Sequence, residues 1–485
     1  MVNVATGMTY APLSNLLTSM THGNGLATTA GYDLDYRLTS LTLKNGAANV
    51  SSLAYAYGDG MNLTGITDNV TPANTVALWY SGPNKLQSAS GAWGASNYYY
   101  DIGGNRTYDI NTVGAATTTN TTYYDTISNH MTNVAVNGTT NRTFGYDTNG
   151  NISNDNRPGE AFVFTYNKRN RMASVTRNGL AYATYGYNAL EQLTTRSTAA
   201  VGGPVGNVAY LYDLDGHLIA EATASTGATT RDYIWAAAND NTPVDLPLAV
   251  AEAATLYMVH SDHLGRPIRM TDSTKATVWQ ANYKPFGEPV TISGTKANNL
   301  RFPGQYFQIE TNLAYNWHRH YDPTTGRYTQ PDPLRFVDGP SMYAYAGSSP
   351  LSATDFTGLA GVPPPSQKQQ KCASIKRRID NLTEEIKRQF DNLDSDPLGL
   401  PERIGPGEML SQTRRGHRTL LNKYWNDREK AQNDWTSNNC DDPGGGGGSA
   451  ALGVCAAVAV AACIAVGEIC IPVVGVGALA GAAAR

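Results

Sequence analysis

Over residues 1 to 250, apolar and polar positions alternate in short runs broken by polar turns. In Phe162-Val163-Phe164-Thr165-Tyr166-Asn167 a β-rich run enters a turn, and in Arg171-Met172-Ala173-Ser174-Val175-Thr176 an alternating run leaves one. A period of two puts one face of each strand inward, so each unit reads as strand, short polar turn, strand. The turn itself recurs. It is Tyr100-Asp101-Ile102-Gly103-Gly104-Asn105, then Tyr146-Asp147-Thr148-Asn149-Gly150-Asn151, then Tyr212-Asp213-Leu214-Asp215-Gly216-His217. Weaker copies sit at Tyr32-Asp33, Tyr57-Gly58-Asp59-Gly60, Tyr124-Asp125, Tyr166-Asn167 and Tyr187-Asn188. From Tyr124 the anchors fall at 146, 166, 187 and 212, the period of stacked supersecondary units rather than of one conventional core. The turn residues supply side-chain acceptors and positive φ, and the tyrosine is expected to pack against its counterpart in the next repeat.

The pattern changes after Leu359. Pro363-Pro364-Pro365 is a stiff spacer. Ile375, Ile379, Leu382, Ile386, Phe390 and Leu393 then recur at three- and four-residue steps, which predicts an amphipathic helix. Pro397, Pro401 and Pro406 interrupt it, and a second helical stretch runs over 411–435. A flexible linker, Gly444 to Gly448, leads into residues 449–484, which are almost wholly apolar, with Glu468 the one charge and Pro472 the one proline. A membrane span needs roughly 20 apolar residues. The tail can therefore hold one or two, with Glu468 marking a hairpin tip or a pore-facing position and Pro472 read as membrane-related with it. A low-complexity tail, or one shielded inside a shell, is the alternative.

Composition sharpens this in three ways. Tyr outnumbers Phe by 29 to 9 and only 16% of residues are charged, a balance suited to half-buried sheet faces. A net charge of −4 gives no general attraction to nucleic acid. The five cysteines (Cys372, Cys440, Cys455, Cys463 and Cys470) match no zinc spacing, and a Cys372–Cys440 disulfide closing the helical segment is left open. Residues 1 to 20 lack a basic segment followed by an apolar run, so no signal peptide is read.

Residues 256 to 359 are denser in motif. Tyr257-Met258-Val259-His260-Ser261-Asp262-His263-Leu264-Gly265-Arg266-Pro267 is followed by Tyr283-Lys284-Pro285-Phe286-Gly287-Glu288, and then by Leu300-Arg301-Phe302-Pro303-Gly304-Gln305-Tyr306. Tyr321-Asp322-Pro323-Thr324-Thr325-Gly326-Arg327-Tyr328 leads through Pro331-Asp332-Pro333-Leu334 and Met342-Tyr343-Ala344-Tyr345 to Asp355-Phe356-Thr357-Gly358-Leu359. This succession resembles the repeat-associated core of the RHS/YD-repeat proteins, in detail over 210–359 and more loosely upstream. The resemblance implies a mainly β fold, in which stacked hairpins form a spiral sheet shell closed by the core. The parts are then repeats over 1–250, core over 251–359, a helical variable region over 360–443, and a linker with its apolar segment over 444–485.

The same resemblance implies self-cleavage at the bond following Leu359 by an aspartyl-protease-like pair, Asp332 and Asp355. Two carboxylates sharing a proton provide one acid and one base. The chain departs from the family pattern: Phe356 replaces a proline, Leu334-Arg335 lacks a glycine, and Ser349-Pro350 replaces Asn-Pro. Both aspartates as turn caps is the structural alternative. Arg301, Arg319 and Arg327 are read mainly as strand-surface residues able to orient a carboxylate. His260 and His263 flank Asp262, but their spacing on a strand-turn points them apart and no third ligand is evident. Asp396 to Leu400 reads as a helix-breaking turn, and His417 among arginines as a solvated helix start.

The functional expectation is a polymorphic-toxin shell, secreted or held at the cell surface or membrane, that encloses and releases its C-terminal segment. No cofactor or metal is called for. An immunity protein, secretion components, a membrane at 449–485 and a carbohydrate or cell surface are the implied partners. About 360 residues are few for a closed cage, which favours a partial shell. The rival classes are a non-enzymatic adhesion scaffold anchored by its tail and a truncated remnant.

Overall fold

The computed structural model describes residues 3–359 apart from 12–15, 36, 59–61, 82–83, 200–205, 238–242 and 337–338, and beyond them 382–383, 386–387, 423–430 and 432–433. Twenty-six strands, from Ala5–Tyr10 to Pro289–Gly294, each pair antiparallel with the next in the chain. The result is one continuous meander that runs without interruption through residue 250. The sheet curls back on itself. Asn24 donates to Thr271 and to the Asp272 carbonyl, and Lys275 reaches Asn45.

Local chemistry explains the repeat. Asp147 accepts from the backbone of Asn149 and Asn151 through Oδ1 (2.9 Å each) and from the Asn151 amide through Oδ2 (2.8 Å). Asp101 and Asp213 do the same for Asn105 and His217. The residue before the Asn or His must turn left-handed, and it is glycine in each case: Gly104 at φ 78°, Gly150 at 83° and Gly216 at 91°. The aliphatic residue after the turn then points inward, and Leu63, Leu86, Met172 and Leu193 are fully buried.

The motif tyrosine behaves differently from the ring-on-ring expectation. In several copies its hydroxyl donates backward to a main-chain carbonyl of the preceding repeat, whereas that of Tyr146 accepts from the Met131 N–H at 2.9 Å. Tyr57 bonds Leu38, Tyr100 bonds Leu86, Tyr124 bonds Arg106, Tyr166 bonds Ile152 and Tyr187 bonds Met172, at 2.7–3.0 Å. The cause is a bulge at each tyrosine, as between Thr165 and Tyr166, which frees a carbonyl from the ladder.

Residues 300–359 pack against one side of this sheet. Four short strands, Tyr306–Gln308, Leu313–Asn316, Arg319–Asp322 and Arg327–Tyr328, form a second sheet. It is bolted to the repeat turns. Arg327 donates to Asn105 and to the Asn129 carbonyl, Tyr343 to the Gly150 carbonyl, and Arg171 to the His318 carbonyl, each at 2.8 Å. Phe302, Tyr321, Tyr328 and Tyr345 form one buried aromatic cluster with Phe286 and Tyr98 of the large sheet. The concave side is thus filled at the core end, and a cavity of about 220 Å³ remains beside the first strands.

The helical expectations past residue 359 are visible only in part. Residues 382–383, 386–387, 423–430 and 432–433 are helical, and Arg428 donates to Thr383 at 2.9 Å. Among the described residues no helix is long and apolar enough to cross a membrane. Glu468, Pro472 and the rest of 449–485, the five cysteines, Asp396 and His417 lie outside the described residues.

Candidate functional site

The turn Asn316-Trp317-His318-Arg319 joins two strands of the small sheet, and three of its side chains grip the end of the core. Asn316 donates to the carbonyls of Asp355 and Phe356, both at 2.9 Å. His318 donates to the Thr357 carbonyl from its Nδ1 (3.0 Å) and its main chain (3.2 Å). Burial lowers the pKa of His318, which keeps the ring neutral. Arg319 donates from Nε to the Gly358 carbonyl at 2.6 Å. Gly358 sits at φ 69°, and a Cβ there would lie 2.2 Å from the Asn316 carbonyl oxygen. Only glycine allows the segment to lie this close.

The same guanidinium gathers the two aspartates. Arg319 Nη2 lies 2.9 Å from Asp332 Oδ2 and 3.1 Å from Asp355 Oδ2. All three residues are buried, with Arg319 at 1%, Asp332 at 5% and Asp355 at 0% exposure. Tyr328 donates to Asp355 Oδ2 at 2.8 Å, and its ring faces the guanidinium at 3.7 Å. Asp355 Oδ1 accepts from the backbone of Leu359 at 3.0 Å, and Asp332 Oδ1 from that of Leu334 at 2.7 Å. Burial raises the Asp332 pKa, opposed in part by Arg319, so this carboxyl holds a proton to higher pH than an ordinary aspartate.

The structure therefore brings Asp332 and Asp355 together, four residues from Leu359. Each also ties down a turn, so the capping geometry and the paired geometry coexist. Arg319 is what the spacing alone did not single out. It stands between the carboxylates, whereas Arg327 is spent on Asn105 and Arg301 on the carbonyls of Asn298 and Leu300. The available signal was an arginine in a tyrosine-rich, inward-facing strand, which demands buried acceptors. His260 and His263 diverge, the first to Thr271 and the second to the Leu351 carbonyl, each at 2.9 Å. Among the described residues no cluster of three metal-ligating side chains occurs.

Two departures from the family pattern have structural consequences. Arg335 stands where the pattern has glycine and adopts φ 67°, with its N–H on the Asp332 carbonyl at 2.9 Å. A left-handed non-glycine costs roughly 1–2 kcal/mol, partly offset by the entropy a glycine loses. Arg335→Gly is expected to raise unfolding stability by about 0.5–1 kcal/mol, read from the denaturant midpoint; a loss of stability would contradict the strain. Phe356, in place of proline, packs edge-to-face on His217.

Residues 257–291 match the RHS protein family. The chain is 29% identical over 272 residues to the tRNA3(Ser)-specific nuclease WapA of Bacillus spizizenii, covering 54% of this chain and 11% of the relative. It is 37% identical over 125 residues to toxin protein Tse5 of Pseudomonas aeruginosa, covering 26% and 9%. The chain thus spans about a tenth of the length of these relatives. The crystal structure of TcdB2-TccC3-Cdc42 superposes with a TM-score of 0.60 at 18% identity, over 73% of this chain and 19% of the other, a likeness of fold. The family match lies inside a continuous Tyr-Asp hairpin sheet that ends in the paired-aspartate core, so the chain carries an RHS-family segment at residues 257–291 within a fold similar to that of an RHS-type shell.

Proposed function

We propose that this chain is the core-bearing part of an RHS shell that severs itself after Leu359 and releases residues 360–485 as an effector segment. The observation that carries the reading is the convergence of Asp332 and Asp355 on one guanidinium beside the clamped segment 355–359. In this reading Asp355 takes a proton from water, and the water oxygen adds to the Leu359 carbonyl carbon. The C–N bond then breaks as Asp332, whose pKa burial raises, gives its proton to the departing amide nitrogen. Arg319 and Tyr328 hold the geometry. The apolar 449–484 suits a segment kept from water until release, for a membrane target. That one relative is named a nuclease and another a toxin supports an effector role and, with it, an immunity partner and a secretion route.

The test is the full chain on a denaturing gel with sequencing of the new terminus. Pieces of 359 and 126 residues beginning at Ala360 are expected. The rate should fall as pH rises through the raised Asp332 pKa, because the proton donor is lost there. An uncut chain over the whole pH range would refute the reading. A second reading, a non-enzymatic scaffold, draws on the way Arg319 compensates both carboxylates, as in a purely structural ion-pair clasp. An intact chain in a membrane or cell-surface fraction favours it.

A further inference from the structure

The family pattern places a proline directly after the second aspartate, where a fixed φ stiffens the chain. Phe356 lacks that restraint, yet the residue is held from three sides. Its carbonyl accepts from Asn316 at 2.9 Å. Gly304, at φ 78°, lies flat against its main chain, and a Cβ there would sit 1.9 Å from the Phe356 oxygen and 2.7 Å from its Cα. Its ring meets that of His217 at 5.3 Å and 67°, over a small cavity of about 30 Å³ shared with Trp235, Tyr306 and Pro303.

His217 is itself immobilised. It occupies the last position of a Tyr-Asp-x-x-Gly turn, where the other clear copies have Asn105 and Asn151. Nδ1 faces Asp213 Oδ2 and Nε2 faces Asp245 Oδ1, both at 3.0 Å, and the ring rests on Trp235 at 4.6 Å. With a carboxylate at each nitrogen, both must carry hydrogen. Burial alone would lower its pKa, but the bonds and charges of Asp245 and Asp213 raise it, so the ring stays cationic further into neutral pH. An edge-to-face pair of rings at this separation is attractive beyond the area it buries.

We infer that Phe356 and His217 form an aromatic latch that replaces the missing proline and positions residues 355–359 for scission. The inference rests on the self-cleavage reading for its rate test and on geometry alone for its structural test. Both residues are positioning residues, since they act through segment 355–359 rather than on the reacting bond.

The experiment uses the full chain, with Phe356→Ala, Phe356→Tyr, His217→Asn and the Phe356→Ala/His217→Asn double variant. Asparagine at 217 keeps the turn bond to the preceding aspartate that Asn151 makes at 2.8 Å, so the hairpin survives while the ring is lost. Phe356→Ala and His217→Asn are each expected to slow scission at least about tenfold, because misplacing the reacting segment weakens orientation. Phe356→Tyr should cut at a rate close to that of the unaltered chain, and the double variant should be no slower than the worse single one. Scission at the unaltered rate in either single variant, or strict additivity, overturns the latch. If the unaltered chain does not cut, the cleavage reading falls and amide hydrogen exchange decides the latch. Lost protection at 357–359 in the alanine and asparagine variants, with protection kept in the tyrosine variant, upholds it, and unchanged protection overturns it.

Discussion

Replacing Arg319 with methionine is expected to destabilise the core by about 3–5 kcal/mol at neutral pH. Breaking a buried ion pair from one side strands the other partner, and here two carboxylates are stranded at once. Methionine approximates the volume of the stem, so the loss is not one of packing. The guanidinium also leaves the Gly358 carbonyl and the Tyr328 ring without their partner. The sign of the pH dependence follows from burial. Burial raises the folded-state pKa of Asp332 and Arg319 opposes it, so without Arg319 the folded state binds more protons than the unfolded one between the unfolded and folded values. Stability of the variant is then retained below the unfolded pKa and lost as pH rises through the folded one. Denaturant midpoints at pH 4 and pH 7 should show the gap to the unaltered protein widening toward neutrality. A gap independent of pH would mean that the aspartates are compensated by other groups.

The second large effect concerns chemistry. Asp355→Asn is expected to slow scission after Leu359 by at least about a hundredfold, the usual contribution of a positioned acid or base. Asparagine keeps the shape and an acceptor for the Tyr328 hydroxyl, which the carboxylate now receives at 2.8 Å. A fitting control is Asp322→Asn, which breaks a comparable buried contact, Arg142 to Asp322 at 2.7 Å, away from segment 355–359. Asp322 is held below the usual carboxylate range despite its burial, by Arg142 and Arg157, so it too carries stability. The control should lose stability and keep its cutting rate. Equal loss of cutting in both would show that scission follows global stability, and the paired aspartates would then have no special part.

Some of this was open to inspection in the chain itself. The hairpin unit was, because its bonds are local: the aspartate at one position captures backbone and side chain two and four positions on, as Asp147 does with Asn149 and Asn151. The positive-φ glycine and the inward aliphatic follow from the same turn. The role of the tyrosine was less open, since its hydroxyl answers a carbonyl freed by a bulge one repeat earlier, and bulges leave no mark in an apolar pattern. Among site residues, Asp332 and Asp355 were accessible through ordered short motifs. Arg319 was named only as one of three arginines able to orient a carboxylate, because an arginine on a strand is equally at home in water.

Legible in the chain, then, were the repeating β-hairpin and the change of regime after Leu359, both consequences of periodicity and neighbours a few residues apart, while the pair of acidic turns came through the family resemblance. Tertiary structure alone decided which cation stands between those acids, that the turn at 316–319 grips 355–358, and that Phe356 meets His217 across the core. The physical reason is burial. When the small sheet closes over the repeat turns it removes water from these groups, and each charge or carbonyl must then take whichever partner the packing brings within about 3 Å.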